Sequence, residues 1–331
     1  MTPSLDASRP VRPAPRRALL ALSAGLALGL SGCADAGAGP AAGEAITVQD
    51  CGEQLTLPAA PQRVFTIGTA AVELLDAAGA ADRIVARAGE FGAPLPEGLR
   101  QPPSDELVVD PADPATEQII ASGADAVLGY GLFSADAEEL QAAGIALLTV
   151  QAECGHDARG EGGGVTPQTV IDDVRRLGTV FGTSAVADAA ADALAVRAEA
   201  AGRAPDGRSA AWVYYFSSED PLAAYGAGGL GGGLLEAAGL ENAYGEQAED
   251  YLTISVESLL ERQPEWIVLG YGLYGESEQE ARRHFLAEPG AEALTAVQQD
   301  RIVMMPAELS HPGPSAVAGL ERLSAAVGDG G

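Results

Sequence analysis

The stretch from Pro61 to Gly89, PQRVFTIGTAAVELLDAAGAADRIVARAG, limits what this chain can become more than any other. A short apolar run, Val64-Phe65-Thr66-Ile67, ends at Gly68-Thr69, and apolar residues then recur at helical spacing at Val72, Leu74, Leu75 and Ala78. Gly79 is placed to close that helix, and Arg83-Ile84-Val85-Ala86 begins a second strand a few residues later. Strand, tight turn, helix and strand at this spacing predict a parallel βαβ unit. In open α/β sheets the turn at the carboxyl end of the first strand is where ligands bind.

The same alternation continues downstream. Ala88 to Asp113 is loop-rich, with prolines at 94, 96, 102, 103 and 111. Thr116 to Gly123 and Ala135 to Ala143 read as helices, Ala126 to Gly131 and Ile145 to Val150 as buried strands. Short buried strands alternating with helices imply a parallel sheet covered on both faces. Pro167 to Phe181 and Ser184 to Ala201 read as helices, the second roughly 27 Å long at 1.5 Å per residue, enough to run from one lobe to another. After the break at Gly202 to Gly207, a new strand runs from Ala210 to Phe216.

The second half then echoes the first. Val127-Leu128-Gly129-Tyr130-Gly131-Leu132-Phe133 returns as Val268-Leu269-Gly270-Tyr271-Gly272-Leu273-Tyr274, each behind a helix-like segment holding Ile119-Ile120 or Leu259-Leu260. Leu74-Leu75-Asp76-Ala77-Ala78-Gly79 returns as Leu234-Leu235-Glu236-Ala237-Ala238-Gly239. Two echoes in the same order predict two related lobes.

The first 32 residues read as a targeting segment. Arg9, Arg12, Arg16 and Arg17 form a basic head, Ala18 to Leu30 is an apolar run short for a bilayer, and Leu30-Ser31-Gly32-Cys33 follows. Small residues before a cysteine resemble the lipobox of bacterial lipoproteins, which assigns the lipid to Cys33; the competing reading is an ordinary cleaved signal. Residues 33–45 then form a small-residue tether. Removing the leader takes away those four arginines and Asp6, deepening a formal charge that is already −28 over 331 residues. Every basic residue is arginine. So acidic a body is repelled by nucleic acid and anionic headgroups. Of the three cysteines, Cys51 and Cys154 remain, and an even pair in an exported chain is most simply a disulfide.

Taken in order, several pieces resemble the periplasmic-binding-protein domain of bacterial ABC importers for ferric siderophores, haem and cobalamin. They are Pro61-Gln62-Arg63-Val64, Ala71-Val72-Glu73-Leu74-Leu75 ending at Gly79, Asp82-Arg83-Ile84-Val85, the unit ending in Val127-Leu128-Gly129, and Leu177-Gly178 with Phe181-Gly182. Leu235 to Asn242, Val297 to Val303 and Pro312-Gly313-Pro314 complete the match, which spans about Ile46 to Val327. Cys51 and Cys154 also resemble the paired cysteines of some actinobacterial members.

The resemblance implies two Rossmann-like α/β lobes with parallel central sheets joined by a single long helix. Its boundaries would be an amino-terminal lobe at 46–183, an interlobe helix at 184–203 and a carboxy-terminal lobe at 204–331. A helical linker implies small closure. In such proteins a glutamate on the first helix of each lobe meets arginines of the permease. Glu73 matches the first, and Glu236, with Glu241 as its rival, matches the second. Strand-end logic lines the cleft with Thr69, Arg87, Tyr130, Gln151, Tyr215, Tyr225, Tyr271, Tyr274 and His311. Tyrosines suit a bulky amphipathic chelate; Tyr130 and Tyr271 are expected to face each other, and Arg87 to meet a ligand oxygen.

His156, His284 and His311 are scattered, with no His-Glu-x-x-His or Cys-x-x-Cys spacing, so no resident metal or cofactor is expected. The expected partners are a permease and a small iron chelate, with a lipid-anchored, extracytoplasmic location. Iron inside a siderophore needs no protein ligand. Haem, with His311 or a tyrosine as axial ligand, and cobalamin are the alternatives, and a sensory or structural lipoprotein is a further one. Gly226-Ala227-Gly228-Gly229-Leu230-Gly231 fits Gly-x-Gly-x-x-Gly, but the preceding strand ends too far upstream for dinucleotide binding. No nucleophile elbow or Walker motif occurs, so an enzyme is not expected.

Overall fold

The computed structural model describes residues 45–154, 164–217 and 220–328. The leader, Cys33, most of the tether, and His156 lie outside the described residues. The chain begins with an antiparallel hairpin, β1 (Ile46–Asp50) and β2 (Glu53–Leu57), turned at Cys51-Gly52 with positive φ at both positions. That geometry matches the twist of two paired strands.

The βαβ unit follows as β3 (Val64–Ile67), α1 (Thr69–Ala78) and β4 (Ile84–Ala88). Then come β5 (Val108–Asp110), α2 (Thr116–Ala121), β6 (Ala126–Gly129), α3 (Ala137–Ala142) and β7 (Ala146–Thr149). Their strands make one parallel sheet in the order β5-β4-β3-β6-β7. All four residues of β3 and of β6 are buried, because helices cover both faces of a parallel sheet. Gly79, in the left-handed region, ends α1, with backbone bonds from Gly79 to Asp76 and from Ala80 to Leu75.

Two helices lead across to the second lobe: α4 (Pro167–Phe181) and α5 (Ser184–Ala201). Ala187, Ala191 and Leu194 form the narrow buried stripe of α5, and a Cβ on Gly178 of α4 would collide with the Ala187 methyl. Small side chains on both helices allow this close approach. The carboxy-terminal lobe contains β8 (Ser209–Tyr214), β9 (Ala223–Tyr225), α6 (Leu230–Ala237), β10 (Glu241–Asn242) and β11 (Tyr251–Thr253). It continues with α7 (Val256–Arg262), β12 (Trp266–Tyr271), α8 (Glu278–Ala287), α9 (Thr295–Gln298), β13 (Ile302–Pro306) and α10 (Ala316–Gly328).

The second sheet runs β11-β9-β8-β12-β13, with β10 beside β8. Its β8-β12-β13 core is parallel, while β9 and β11 are antiparallel additions that periodicity alone does not forecast. The fold is therefore mixed α/β with two lobes and two separate central sheets. One hydrophobic core joins them: Val64, Leu128, Trp212 and Val268 belong to a cluster that also takes in buried residues of α1, α4, α5, α6 and α10. Separate clusters fill the outer faces, under α2 and α3 in the first lobe and under α7 and α8 in the second.

Helix α5 is tied to α10 at its far end, where Arg197 donates Nε and Nη2 to the two oxygens of Glu321 at 2.9 and 2.8 Å. Nearer the hairpin, Arg176 of α4 bonds Asp50 at 2.6 Å, Asp173 at 2.7 Å and the Thr149 carbonyl at 2.7 Å. The Cys51–Cys154 disulfide is formed, and it pins the hairpin turn to the segment after β7. Among the described residues no helix is long and apolar enough to cross a membrane.

Candidate functional site: a cavity between the sheet ends

The carboxyl ends of both parallel sheets face a cavity of about 380 Å³. Its floor begins at Gly68, held at φ +88° between β3 and α1, with its N–H bonded to the Ala88 carbonyl at 2.8 Å. The Tyr130 ring lies over this point. A Cβ on Gly68 would come within 2.9 Å of the ring, so only glycine provides both the conformation and the room.

Thr69 follows, and its hydroxyl lies 2.7 Å from Nδ1 of His311, which belongs to the segment after β13. This bond closes the cavity floor between lobes. Burial pushes the His311 imidazole down to about 4, so it is neutral near pH 7. One turn along α1, Glu73 is buried and accepts a hydrogen bond from the Ser315 hydroxyl at 2.9 Å. Burial raises its carboxyl to about 7, with Asp76 adding to the effect against the Ser315 bonds.

The first lobe lines the walls with Glu90, Phe91, Asp113, Tyr130, Phe133 and Glu153. Phe91 has φ +50°, an uncommon conformation for a residue with a side chain, and its N–H bonds the Pro111 carbonyl at 2.7 Å. Gly89 bonds Ala112 in the same way, at 2.9 Å, so the loops after β4 and β5 are fastened together. Tyr130 donates to Asp113 at 3.4 Å. Burial, reinforced by Asp250, pushes the Glu153 carboxyl up to about 8.

The second lobe contributes Tyr214, Phe216, Tyr251, Leu273 and Tyr274. Tyr214 and Phe216 stack with centroids 5.0 Å apart, and Tyr274 meets Phe91 of the other lobe edge-on at 6.0 Å. Tyr251 sits over Tyr225, its Cα partner on the neighbouring strand, and their hydroxyls are bonded.

Of the cleft residues expected from the sequence, Thr69, Tyr130, Tyr274 and His311 line this cavity. Arg87 does not. It lies within β4 rather than beyond its end, buried, with Nε 3.3 Å from Glu90 and Nη2 3.2 Å from Asp105. Tyr215 is displaced by the two-residue period of a strand. On β8, Ala210, Trp212 and Tyr214 face the inner core, so Tyr215 faces outward and stacks on His284 at 5.6 Å. Tyr271 also points to the outer face, bonded to Glu278 at 3.2 Å, so it does not oppose Tyr130. Tyr225 is one layer below the wall, under Tyr251. Gln151 donates Nε2 to Asp50, and its backbone N–H goes to Asp173.

The expected docking pair is split as well: Glu236 is exposed on α6, whereas Glu73 is buried against Ser315 and Gly313 and does not present a surface carboxylate. The glycine string before α6 serves packing. Cβ atoms at Gly229 and Gly231 would strike the Tyr225 ring, and at Gly226 and Gly228 they would strike the 247–250 segment.

Reasoning from sequence passed over Glu90, Phe91, Asp113, Phe133, Tyr214, Phe216 and Tyr251. Glu90 and Phe91 come just after Gly89, beyond the carboxyl end of β4, where strand-end geometry places ligand contacts, whereas Arg87 lies within the strand. Phe133 and Phe216 lie close to residues that were chosen. Tyr251 follows a long loop with no local signal. Among the described residues no three metal-ligating side chains converge on a common point.

The family model described as periplasmic binding protein matches residues 64–309. Among curated proteins none matches the sequence significantly. Among solved structures, an ABC-type Fe3+-hydroxamate transport system protein from Saccharomonospora viridis is 27% identical with a TM-score of 0.71, covering 86% of this chain and 99% of its own. The periplasmic haem-binding protein of Roseiflexus sp. RS-1 in apo form is 18% identical, with a TM-score of 0.63 and coverages of 81% and 98%. The periplasmic vitamin B12 binding protein of Vibrio cholerae is also 18% identical, with a TM-score of 0.58 and coverages of 82% and 98%. The last two likenesses speak for the fold alone.

Proposed function

This chain belongs to the periplasmic binding protein family, and from that premise we propose that it captures a ferric siderophore between its lobes and delivers it to the permease of an ABC importer. As a member of that family it is a binding component of transport and not an enzyme. The observation that carries the siderophore reading is the cavity itself: about 380 Å³, walled by aromatic rings from both lobes and floored by the Thr69–His311 bond. Rings supply apolar area, and tyrosine hydroxyls supply hydrogen bonds, for a chelate whose iron is already satisfied by its own oxygens. The likeness to the Fe3+-hydroxamate transport protein supports the same class.

In this reading Cys33 carries a lipid that keeps the protein at the extracytoplasmic face of the membrane. The exposed carboxylate of Glu236 is available to a permease arginine. Glu73 would join it only if the Ser315 contact opened.

Haem is the second reading, and His311 favours it: a neutral imidazole on the cavity wall is a competent axial ligand. Titration of the intrinsic fluorescence with a ferric trihydroxamate, a ferric tris-catecholate, cobalamin and haem decides between them. Saturable quenching at micromolar levels by a ferric siderophore is the expected result. A Soret shift on haem addition that disappears in His311→Ala, with no response to siderophores, would replace it with the haem reading. No response to any of the four would remove the import reading.

A further inference from the structure

Helix α1 meets the second lobe along one face. Thr69 and Glu73, four residues apart and so on the same side of the helix, each hold the strap that follows β13: Thr69 through His311, Glu73 through Ser315. Between those two bonds lie Pro312 and Gly313. A Cβ on Gly313 would collide with Glu73 Oε2, so the strap backbone rests directly on the carboxyl, too close for water to enter between them. His311 and Pro312 also line the cavity. The fit of the strap on α1 therefore sets the cavity floor.

Counting protons shows what that fit requires. Ser315 Oγ lies 2.9 Å from Glu73 Oε2 and closer still to the Glu308 carbonyl, but a hydroxyl has one proton to give. Given to an ionised Glu73, it leaves the Glu308 carbonyl without that donor. Both contacts hold together when Glu73 brings a proton of its own to Ser315 Oγ, whose proton then goes to Glu308. Glu73 is 8% exposed, and burial raises its carboxyl to about 7, in the direction the count requires. The described charges around α1 do not offset its ionisation. Asp76 pushes the same way as burial, and Arg100 is engaged with Asp76. On α4, Arg176 pairs with Asp50 and Asp173, and Arg175 with Asp172 and Asp192. On α5, Arg197 pairs with Glu321 of α10, and Asp188 and Glu199 are exposed. Beyond α1, Asp82 is exposed and Arg83 serves the carbonyls of Pro61 and Phe181; Arg322 of α10 serves that of Met304. The strap itself brings Glu308 and the neutral His311.

We propose that Glu73 is a positioning residue: protonated, it seats the 307–315 strap on α1 and fixes the cavity floor, and its ionisation lifts the strap and loosens the hold on ligand. A buried carboxylate needs water or a cation, and water reaches Glu73 only when the Gly313 backbone moves away. A carboxyl whose value is raised by folding favours the seated form while protonated, so the strap is seated on the acid side of about 7 and released on the alkaline side. His311, at about 4, stays neutral throughout that range and adds nothing to the change. The seating of the strap is a property of the protein alone; its effect on ligand rests on the siderophore reading.

The test is hydrogen exchange of the strap, read by mass spectrometry on peptides covering residues 307–316 between pH 6 and 8.5 and corrected for intrinsic rates. In the wild-type protein, exchange should be about tenfold faster at pH 8.5 than at pH 6. Glu73→Gln keeps a neutral donor in place of the protonated carboxyl, so its strap should stay protected across the range. A flat wild-type profile overturns the inference. So does a rise that persists in Glu73→Gln, which would assign the change to another group such as Glu153, whose carboxyl is raised to about 8. Should Glu73→Gln not fold, the carboxyl carbon shift of Glu73 in labelled wild-type protein replaces it, and its midpoint must coincide with that of exchange. The second arm is binding of ferrichrome, a ferric trihydroxamate with no group that titrates in this range. Its affinity should fall about tenfold from pH 6 to 8.5 in the wild type and stay level in Glu73→Gln. Equal affinity at both pH values, beside a mobile strap, overturns the link to the cavity and leaves the siderophore reading intact. If ferrichrome binds at neither pH, that reading loses support, and the exchange profile by itself decides whether the strap is held by a proton.

Discussion

Val127 to Phe133 and Val268 to Tyr274 are nearly the same seven residues, yet each turns a different side to its sheet. Val127 packs outward under α2 and α3, whereas Val268 packs inward on the shared core; Leu128 and Leu269 are exchanged in the same sense. The equivalent positions are given by pairing. Ala126 lies beside Val64 on β3, and Trp266 lies beside Ala210 on β8, so Tyr130 corresponds in space to Gly270 and not to Tyr271. Val268 lies one residue farther from the buried Leu259 of α7 than Val127 does from the buried Ile119 of α2, and a one-residue slip inverts every side chain of a strand. In the first lobe Tyr130 therefore closes over Gly68, while in the second Tyr214 closes over Gly270. Both lobes place a tyrosine at the same height of the cavity, but from different strands.

The largest difference between lobes is covalent, since the only described disulfide lies in the first. Its removal in Cys51→Ser with Cys154→Ser should cost about 4–5 kcal/mol for a closed loop of roughly a hundred residues, read as a lower urea midpoint. If the loss is under 1 kcal/mol, the first lobe does not depend on its staple. Next in size is the pair of first-helix glutamates. A carboxyl raised to about 7 binds its proton more tightly folded than unfolded, so its contribution is full below the unfolded value near 4.5 and is lost as pH rises toward 7. Wild-type stability should therefore drop by roughly 3 kcal/mol between pH 4.5 and 7 relative to Glu73→Gln, while Glu236→Gln, at an exposed position, should change stability by under about 0.5 kcal/mol. Parallel pH curves for wild type and Glu73→Gln would show that Glu73 ionises freely.

Gly270→Ala would push a Cβ to 2.7 Å from the Tyr214 ring, and overpacking of this kind costs about 1–3 kcal/mol. Thermal melts should show the loss, and an unchanged melting temperature would mean the ring can move aside. The smallest effect is the most direct on the slip. Tyr130→Ala should weaken chelate binding about tenfold, or about 1.4 kcal/mol, and Tyr271→Ala should leave it within twofold. Equal losses would restore the symmetric arrangement that the repeat suggested.

The same positions show how much of the molecule is legible in its residues. The β3-α1-β4 unit, α4 and the whole of α5 were legible, because apolar period and terminal glycines agree there. The cavity was legible as a place, at the strand ends, but only partly as a set of side chains. Which of Tyr214 and Tyr215 faces inward depends on register, and register is fixed by neighbouring strands far away in sequence. The pairing of β9 with β11 was hidden because Ala223-Ala224-Tyr225 is three residues long amid glycines. Arg87 was misplaced because a buried arginine and a ligand-facing one look alike until their carboxylate partners are located.

The shared core beneath the two sheets also bears on how such a chain can be taken apart. A half-chain cut between α4 and α5 would leave one side of its helical layer, Ala71 and Leu74 or Leu234 and Leu320, facing water. Although the two lobes echo each other in sequence, the shared core makes the halves mutually dependent. They should unfold in one step, and they should be recoverable only by co-expression.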